Sequence, residues 1–232
     1  RNQDVDIQAG VAVWNDKTGS YDLLTDPKLG SFYEDNKTFV GQDGPQTNSP
    51  NVSNTGFYIR KFISEASGYT LRNYAENWWP WFRLGEIYLN AAEAAFELND
   101  EPTALPYINR LRQRAGFPAN SLTSLTIEKI QNERRVELAF EDHRYFDMKR
   151  WRIADITWNG NIDNDKAIVY GLYPYRIAVA KPGTQDQDKY IFVKTRSERF
   201  KVARTFQQSN YYSFIADDVI NNNPTIVKNP FQ

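Results

Sequence analysis

Charged side chains recur at helical spacing between residues 134 and 150, and they are the first candidates for chemistry. On a single helix, the following residues would share one face: Arg134, Glu137, Glu141, Arg144, Asp147 and Arg150. Such a face could hold an acid/base pair or clamp an anion. Alternating opposite charges also form ion pairs, and neighbouring arginines depress the pKa that a catalytic carboxylate needs raised. We therefore interpret the set as a structural ladder that locks helices together.

Other ionisable residues lack the partners that catalysis requires. His143 is the single histidine, so a histidine metal cluster is excluded, and we expect a surface or interhelical role. Glu86, Glu93 and Glu97 fall on one predicted helix and are interpreted as its polar face. Glycosidase chemistry needs two carboxylates across a cleft; one sequence cannot exclude that arrangement, but nothing specifically supports it.

One polar loop is similar in spacing to a calcium-binding loop. Asn159, Asn161, Asp163 and Asp165 alternate, but the required glycine is misplaced and Tyr170 stands where the bidentate glutamate belongs. The chain also has no glycine-rich phosphate loop, nucleophile elbow or zinc motif. We predict no metal site and no cofactor.

Aromatic residues offer a better candidate surface. They make up 15% of the chain, and asparagine is frequent among them. Aromatic rings stack on the apolar faces of sugars, while amides and carboxylates bind hydroxyls. We predict ligand contacts at four aromatic residues outside the helices: Trp14, Tyr21, Tyr33 and Trp78. Trp79 and Trp81 are expected to staple the first helix pair instead.

The helices that follow residue 80 are expected to form the scaffold that positions the predicted ligand contacts. An apolar stripe at three- and four-residue steps predicts a first helix: Trp81, Leu84, Tyr88, Ala91, Ala92 and Ala95. A second stripe predicts the next helix: Ala104, Ile108, Leu111 and Ala115. Gly116 stands where a left-handed helix cap belongs, and Pro118 prevents continuation.

The first helix opens with Trp81-x2-Leu84-Gly85-x2-Tyr88, which resembles half of the tetratricopeptide signature. A second pair is predicted to begin at the N-cap Thr126 and to run through Phe140, followed by a helix over residues 145–153. Two repeats are too few for a solenoid, so we expect repeats upstream of this chain.

The remaining sequence is predicted to be loop-rich, with strands at residues 11–14, 57–63, 167–180 and 189–194. The predicted fold is mainly α, with tetratricopeptide-like helical repeats, long irregular loops and a few short β-strands. Its organisation is a loop-rich segment over residues 1–80 that could face the ligand, helical repeats over 81–152, and loops, strands and tail over 153–232.

Composition excludes several classes of protein. The 28 basic and 29 acidic residues leave a net charge of -1, so no basic field favours nucleic acid. The absence of cysteine excludes disulfides and cysteine nucleophiles but leaves the compartment open. No apolar run approaches the ~20 residues that span a bilayer. Without an initiator methionine or signal peptide, we expect a fragment or a mature remnant.

Several blocks resemble the SusD/RagB family. Residues 83–94 (RLGEIYLNAAEA) and 108–116 (INRLRQRAG) match two of its helices. Residues 133–141 (ERRVELAFE) and 144–151 (RYFDMKRW) match its "E-R-R-x-E-L-x-F-E-x-x-R-x-x-D-x-x-R-W" block. Residues 56–62 fit a short upstream strand. The tail resembles the closing segment of the family but lacks the prolines of its "P-I-P" element.

The resemblance implies a surface lipoprotein of the outer membrane that binds glycans or other nutrients without catalysis. Such a protein caps a SusC-like TonB-dependent transporter and delivers the ligand to it. Family members are about twice as long, so this chain resembles their C-terminal half. Membrane attachment would then use a lipid anchor missing from this fragment. Family ligand residues vary, so the four predicted contacts rest on side-chain chemistry alone.

Two other classes of function stay open at this point. A tetratricopeptide-type adaptor would bind proteins through polar anchors on a concave helical face. A glycan-processing enzyme would turn over oligosaccharides. The resemblance favours a binding protein over both.

Overall fold

The structure is a computed structural model that describes residues 8–25, 44, 53–63, 78–197, 200–223 and 225–232. The chain forms two units. The helical unit is Arg60–Ile153, and the sheet unit combines Arg1–Ile59 with Ala154–Gln232.

The first two helices of the helical unit form a hairpin. Helix α1 spans Leu84–Glu97 and α2 spans Glu101–Arg114. Asn99 adopts a left-handed conformation, with φ of 60°. Asp100 then caps α2, because its side chain accepts a hydrogen bond from the backbone N–H of Thr103 at 3.2 Å.

Helix α2 ends at the predicted glycine. Gly116 has φ of 95°, and its N–H donates to the Gln113 carbonyl while the Phe117 N–H donates to the Arg112 carbonyl. These two bonds form a Schellman motif, which satisfies carbonyls that the helix leaves unpaired. The predicted helix end is confirmed.

Helix α3 spans Ile127–Glu137 and α4 spans His143–Arg150. Thr126 caps α3 as predicted, by accepting a hydrogen bond from the Lys129 N–H at 3.3 Å. The prediction that this helix runs through Phe140 is wrong. Phe140 has φ of 65° and lies in a left-handed turn between the two helices.

Eight side chains form the apolar core of the helical unit: Leu89, Ala92, Ala104, Ile108, Leu111, Leu125, Ile130 and Leu138. The buried face of α2 includes Ala104, Ile108 and Leu111, as predicted. The predicted face of α1 is confirmed in part: Ala92 is buried, and Tyr88 and Ala95 pack against the core. It is wrong at Trp81 and Leu84, which are exposed. The buried residues of α1 are Gly85, Leu89, Ala92 and Glu93.

The sheet unit contains four strands in the order β2-β1-β3-β4. Their bounds are Gly10–Asn15, Ser20–Leu24, Tyr170–Val179 and Tyr190–Arg196, numbered β1 to β4 in chain order. Strand β1 pairs antiparallel with β2 and parallel with β3, while β3 pairs antiparallel with β4. One face packs on a small core: Ala9, Ala12, Tyr173, Tyr175 and Ile177.

The strand predicted over residues 57–63 does not form. This segment is irregular and ends in a turn, and Phe62 has φ of 64°. Gly56 has φ of 83°, and a Cβ there would lie 2.7 Å from the carbonyl carbon of Leu172. The close approach of backbone to β3 requires glycine at this position.

Short helices complete the sheet unit: α5 over Ala154–Thr157 and α6 over Asp217–Asn222, with a 3-10 turn at Gln208–Tyr211. Helical residues outnumber strand residues in the described ranges, in agreement with a mainly helical chain carrying a few short strands. None of the described helices combines the length and apolar character needed to cross a membrane.

Candidate functional site

Two of the predicted ligand contacts are neighbours in the sheet unit. Trp14 on β1 and Tyr21 on β2 are directly opposite each other in the hairpin register. Their rings meet edge to face, with centroids 5.2 Å apart and planes at 72°. Both side chains are half-buried, and Tyr21 also packs against the core of the sheet. The hairpin therefore fixes both rings in one place.

Lys181 joins this pair from a distant part of the sequence. Its ammonium lies over the Trp14 ring, with Nζ 5.1 Å from the ring centroid. Its backbone N–H donates a hydrogen bond to the Tyr21 hydroxyl at 3.1 Å. The lysine side chain is exposed, so this cation–π contact is a weak one.

Polar side chains surround the two rings. The Trp14 indole N–H donates to Asp16 at 2.8 Å, and the Asn15 amide donates to Asp22 at 2.8 Å. We name Trp14, Tyr21, Lys181, Asp16 and Asp22 the Trp14 cluster. It combines aromatic surface with an exposed cation and exposed carboxylates. Such a set can stack on a flat apolar face and bind the hydroxyls at its edge.

The other two predicted contacts lie elsewhere in the chain. Trp78 belongs to the helical unit and is 91% exposed, so its ring is available to a partner or ligand. Tyr33 lies outside the described residues.

The expected stapling role of Trp81 is wrong. Its side chain is 86% exposed and covers little of the helix pair. Trp79 is half-exposed and contacts Phe62, with ring centroids 5.0 Å apart. An exposed apolar surface therefore precedes and opens α1, formed by Trp78, Trp81, Phe82 and Leu84.

The charged residues of the helical unit form interhelical ion pairs, as predicted. Arg134 on α3 is 4% exposed and donates to both oxygens of Asp147 on α4 at 2.7 and 2.8 Å. It also donates to the Asn90 side chain on α1 at 2.6 Å. Three helices therefore share one buried guanidinium.

A second network joins α1 to α4. Arg150 donates to both oxygens of Glu93 at 2.5 and 2.7 Å, and the Trp151 indole donates to the same carboxylate at 2.7 Å. Burial on its own raises the pKa of Glu93, but these hydrogen bonds outweigh it and lower the pKa below its usual range. Glu93 is therefore held ionised, which is the opposite of what a general acid requires.

A third network caps the end of α3. Lys61 donates to the backbone carbonyls of Glu137 and Ala139 at 3.3 and 2.8 Å, and Arg83 donates to the Glu137 carbonyl at 2.7 Å. Both cations also bind Glu141, at 2.6 Å from Lys61 and 2.8 Å from Arg83. The cations satisfy carbonyls that a helix end leaves unpaired. They also explain why α3 ends without a glycine.

The pKa of Glu141 is shifted in the same direction as that of Glu93. Burial raises its pKa, while hydrogen bonds from Arg83 and Lys61 outweigh burial and lower the pKa below its usual range. Arg144, expected in the ladder, takes no part in these hydrogen bonds within the described residues. Burial lowers its pKa.

The remaining candidates have structural roles. His143 lies between helices, with Nε2 3.6 Å from Glu86 on α1. In the polar loop, Asn159 accepts from the N–H of Asn161 at 3.0 Å, and Asn161 accepts from the N–H of Asp163 at 2.9 Å. These bonds shape the loop. Across the described ranges, no group of three or more His, Cys, Asp or Glu side chains could hold a metal.

Several features of the sheet unit were not predicted, including strand β2. Lys181 lies 160 residues from Tyr21 in sequence, so no local pattern indicates their contact. On the outer face, Phe57 stacks near-parallel on Phe192, with centroids 6.2 Å apart and planes at 16°. Both residues are exposed by about half, so they enlarge the aromatic surface of this unit.

Comparison with known proteins identifies relatives of this chain. A SusD-like protein of Formosa agariphila is 43% identical over 79 residues, covering 31% of this chain and 15% of that protein. A SusD-like protein of Bacteroides ovatus is 27% identical over 172 residues, covering 63% of this chain and 29% of that protein. The matched segments thus span less than a third of either curated relative.

A solved structure and a family profile extend the match to most of the chain. The crystal structure of a SusD-like protein from Bacteroides fragilis has a TM-score of 0.52 at 25% identity, covering 97% of this chain and 37% of that one. The SusD family profile matches residues 11–231. Because the profile matches residues of both units, the chain belongs to the SusD family.

Proposed function

We propose that this chain is the C-terminal portion of a non-catalytic glycan- or nutrient-binding protein at the outer-membrane surface. The observation that carries the proposal is the SusD family match over residues 11–231. The full-length protein is attached to the membrane by a lipid anchor and delivers its ligand to a SusC-like TonB-dependent transporter. The helical unit is its tetratricopeptide-like scaffold.

The Trp14 cluster supports ligand binding in the sheet unit. Its hairpin holds Trp14 and Tyr21 in a fixed edge-to-face pair, so little conformational entropy is lost when a ligand stacks there. Asp16, Asp22 and Lys181 supply charged hydrogen-bonding groups beside the rings. We propose Trp14, Tyr21, Tyr33 and Trp78 as ligand-binding residues, with Trp14 as the main stacking surface.

The pKa directions of Glu93 and Glu141 make these two residues poor candidates for the acid of a glycosidase. Glu93 and Glu141 are each hydrogen-bonded by two donor side chains, and both pKa values lie below the usual range. A glycosidase needs one carboxyl group with a raised pKa as its acid. We expect no release of reducing ends when the purified full-length protein is incubated with polysaccharides. Sustained release would contradict the proposal.

The exposed side chains at the start of α1 support a protein partner. Trp81 is 86%, Phe82 75% and Leu84 62% exposed, and contiguous apolar patches on a protein surface mark contact sites. We propose the transporter as this partner. A tetratricopeptide-type adaptor is the second candidate function, and it would instead bind proteins through polar anchors on a concave helical face.

Two measurements separate these candidates. A glycan array followed by calorimetry should detect an oligosaccharide ligand, and Trp14→Ala and Trp78→Ala should each weaken its binding. Trp158→Ala is the matched control, because Trp158 is a half-buried indole of the sheet unit with Arg204 over its ring at 5.7 Å. Unchanged binding in both test variants would remove the site assignment. Co-purification with a transporter but no glycan binding would favour the adaptor.

A further inference from the structure

A groove of about 350 Å³ lies in the helical unit, between α1, α2 and the connection from α2 to α3. Its lining includes Tyr88, Tyr107, Asn109, Arg110, Gln113 and Asn120. This volume falls at the lower end of the ~300–1,000 Å³ range of small-molecule pockets. The groove therefore has room for a small ligand.

Buried Asn109 holds the groove in shape. Its side-chain amide donates to the Leu122 carbonyl at 2.9 Å, and its side-chain oxygen accepts from the Leu122 N–H at 3.0 Å. This pair of bonds fixes the connection that carries Asn120 against α2. The wall of the groove is therefore preorganised.

Two tyrosine rings give the groove an aromatic surface. Tyr88 on α1 and Tyr107 on α2 have centroids 5.7 Å apart and planes at 39°. Both are half-buried and pack against the helical core, so their orientation is constrained. Such rings can contact the apolar face of a sugar.

Polar groups around these rings have free hydrogen-bonding capacity. Within the described part of the chain, no side-chain hydrogen bond or ion pair engages Tyr88, Tyr107, Arg110, Gln113 or Asn120. Together they present two hydroxyls, two amides and one guanidinium. This combination of donors and acceptors matches a ligand that is rich in hydroxyls.

The guanidinium in the groove differs from its neighbours on the same helix. Arg112 pairs with Glu133 at 2.9 Å, and Arg114 pairs with Glu137 at 2.7 Å. Arg110 instead lies over the Tyr88 ring, 5.7 Å from its centroid. No aspartate or glutamate is among the described residues that line the groove. The Arg110 guanidinium is therefore exposed and makes no ion pair within the described residues.

We propose that this groove is a second binding site, for a small saccharide that carries a carboxylate. The tyrosine rings contact the sugar ring, Gln113 and Asn120 bind its hydroxyls, and Arg110 binds the carboxylate. A planar guanidinium fork matches a carboxylate in a two-point contact. The saccharide class rests on the proposed function, whereas the preference for an acidic sugar rests on Arg110.

Glucuronate and glucose are the matched probes, because they differ only at C6, which is a carboxylate in glucuronate and a hydroxymethyl group in glucose. We expect ligand-observed NMR titrations of this chain to detect glucuronate and to find at least about tenfold weaker binding of glucose. Added salt should weaken glucuronate binding. Equal binding of the two sugars would overturn the acidic preference, and equal binding of acetate and glucuronate would overturn the saccharide assignment.

Arg110→Gln removes the charge from the groove and should weaken glucuronate binding about tenfold. Arg135→Gln is the control, because it removes the same charge from exposed Arg135 of α3, which is hydrogen-bonded to Asn132. Thermal unfolding verifies that both variants fold. Unchanged glucuronate binding in Arg110→Gln would overturn the site. Trp14→Ala should leave glucuronate binding intact, so failure of the Trp14 site and failure of this groove are distinguishable.

Discussion

Arg134 in the helical unit and Lys181 in the sheet unit are both cations at the centre of a cluster, but their surroundings are opposite. Arg134 is 4% exposed and donates three hydrogen bonds of 2.6 to 2.8 Å to Asp147 and Asn90. Lys181 is exposed and contacts Trp14 only through its ring face at 5.1 Å. The Arg134 side chain is fully engaged within the fold, whereas the Lys181 side chain makes only an exposed contact.

The residues that identify the family and the residues with ligand-binding chemistry are different sets. The most recognisable sequence blocks carry Arg134, Asp147 and Arg150, whose hydrogen bonds are already satisfied within the helical unit. The Trp14 cluster shows no such motif, yet it presents rings and polar groups to solvent. Resemblance in the helices is therefore strong evidence for the fold and weak evidence for the ligand.

The largest expected effect comes from breaking the buried pair. Asp147→Ala leaves the Arg134 guanidinium buried without its main carboxylate partner, since Glu86 is 3.8 Å away. We expect a loss of about 3–5 kcal/mol in the free energy of unfolding, measured by urea denaturation.

The control for this variant is an exposed pair. Asp217 and Lys228 are 3.2 Å apart and both more than half exposed, so Asp217→Ala should change the free energy of unfolding by less than ~1 kcal/mol. Equal losses in the two variants would show that the buried Arg134–Asp147 pair stabilises the fold no more than an exposed pair does.

Acid should weaken the helical unit through the same carboxylates. Glu93 and Glu141 have pKa values below their ordinary value of 4.5 in the folded chain. The stabilisation is therefore complete above about pH 4.5 and is lost as the pH falls through the folded pKa values. Urea denaturation at a series of pH values measures this loss. Glu93→Gln should reduce the pH dependence, and an unchanged profile in that variant would contradict the assignment.

A substitution in the Trp14 cluster should reduce ligand binding strongly and stability only modestly. Trp14→Ala removes a half-buried ring, so we expect about 1–2 kcal/mol loss in the free energy of unfolding together with loss of glycan binding. Trp14→Phe should retain part of both, because it keeps an aromatic face. A loss of stability as large as that of Asp147→Ala would mean that Trp14 is a core residue.

Sequence patterns predicted local structure where a single residue determines it. Gly116 and Thr126 cap their helices as predicted, because a left-handed glycine and a threonine N-cap act within one turn. The buried face of α1 was predicted correctly at Ala92 but wrongly at Trp81 and Leu84. Apolar residues lie on more than one side of that helix, with Leu84 exposed and Leu89 buried, so periodicity alone cannot identify the buried side.

Contacts between distant residues account for the other differences. Where helix α3 ends, Lys61 and Arg83 bind the Glu137 carbonyl, and Lys61 also binds the carbonyl of Ala139, 78 residues further along the chain. Lys181 approaches Trp14 only after β1 pairs with β3. Residue type was enough to predict Trp14 and Tyr21 as members of the candidate site. Their edge-to-face geometry could not be predicted, because it depends on the hairpin register.

The smallest expected effect is that of Lys181→Met. This variant tests whether the Lys181 side chain contributes less to stability than that of Arg134. Lys181→Met keeps an unbranched chain over Trp14 but removes the charge, so we expect a loss of only about 0.5–1 kcal/mol in the free energy of unfolding. Arg204→Met at Trp158 is the matched variant, since that cation is also exposed and lies 5.7 Å from its ring centroid. Similar small losses in both would agree with surface cation–π contacts. A loss in Lys181→Met that approaches the 3–5 kcal/mol expected for Asp147→Ala would show that Lys181 is committed to the fold and is not displaceable by a ligand.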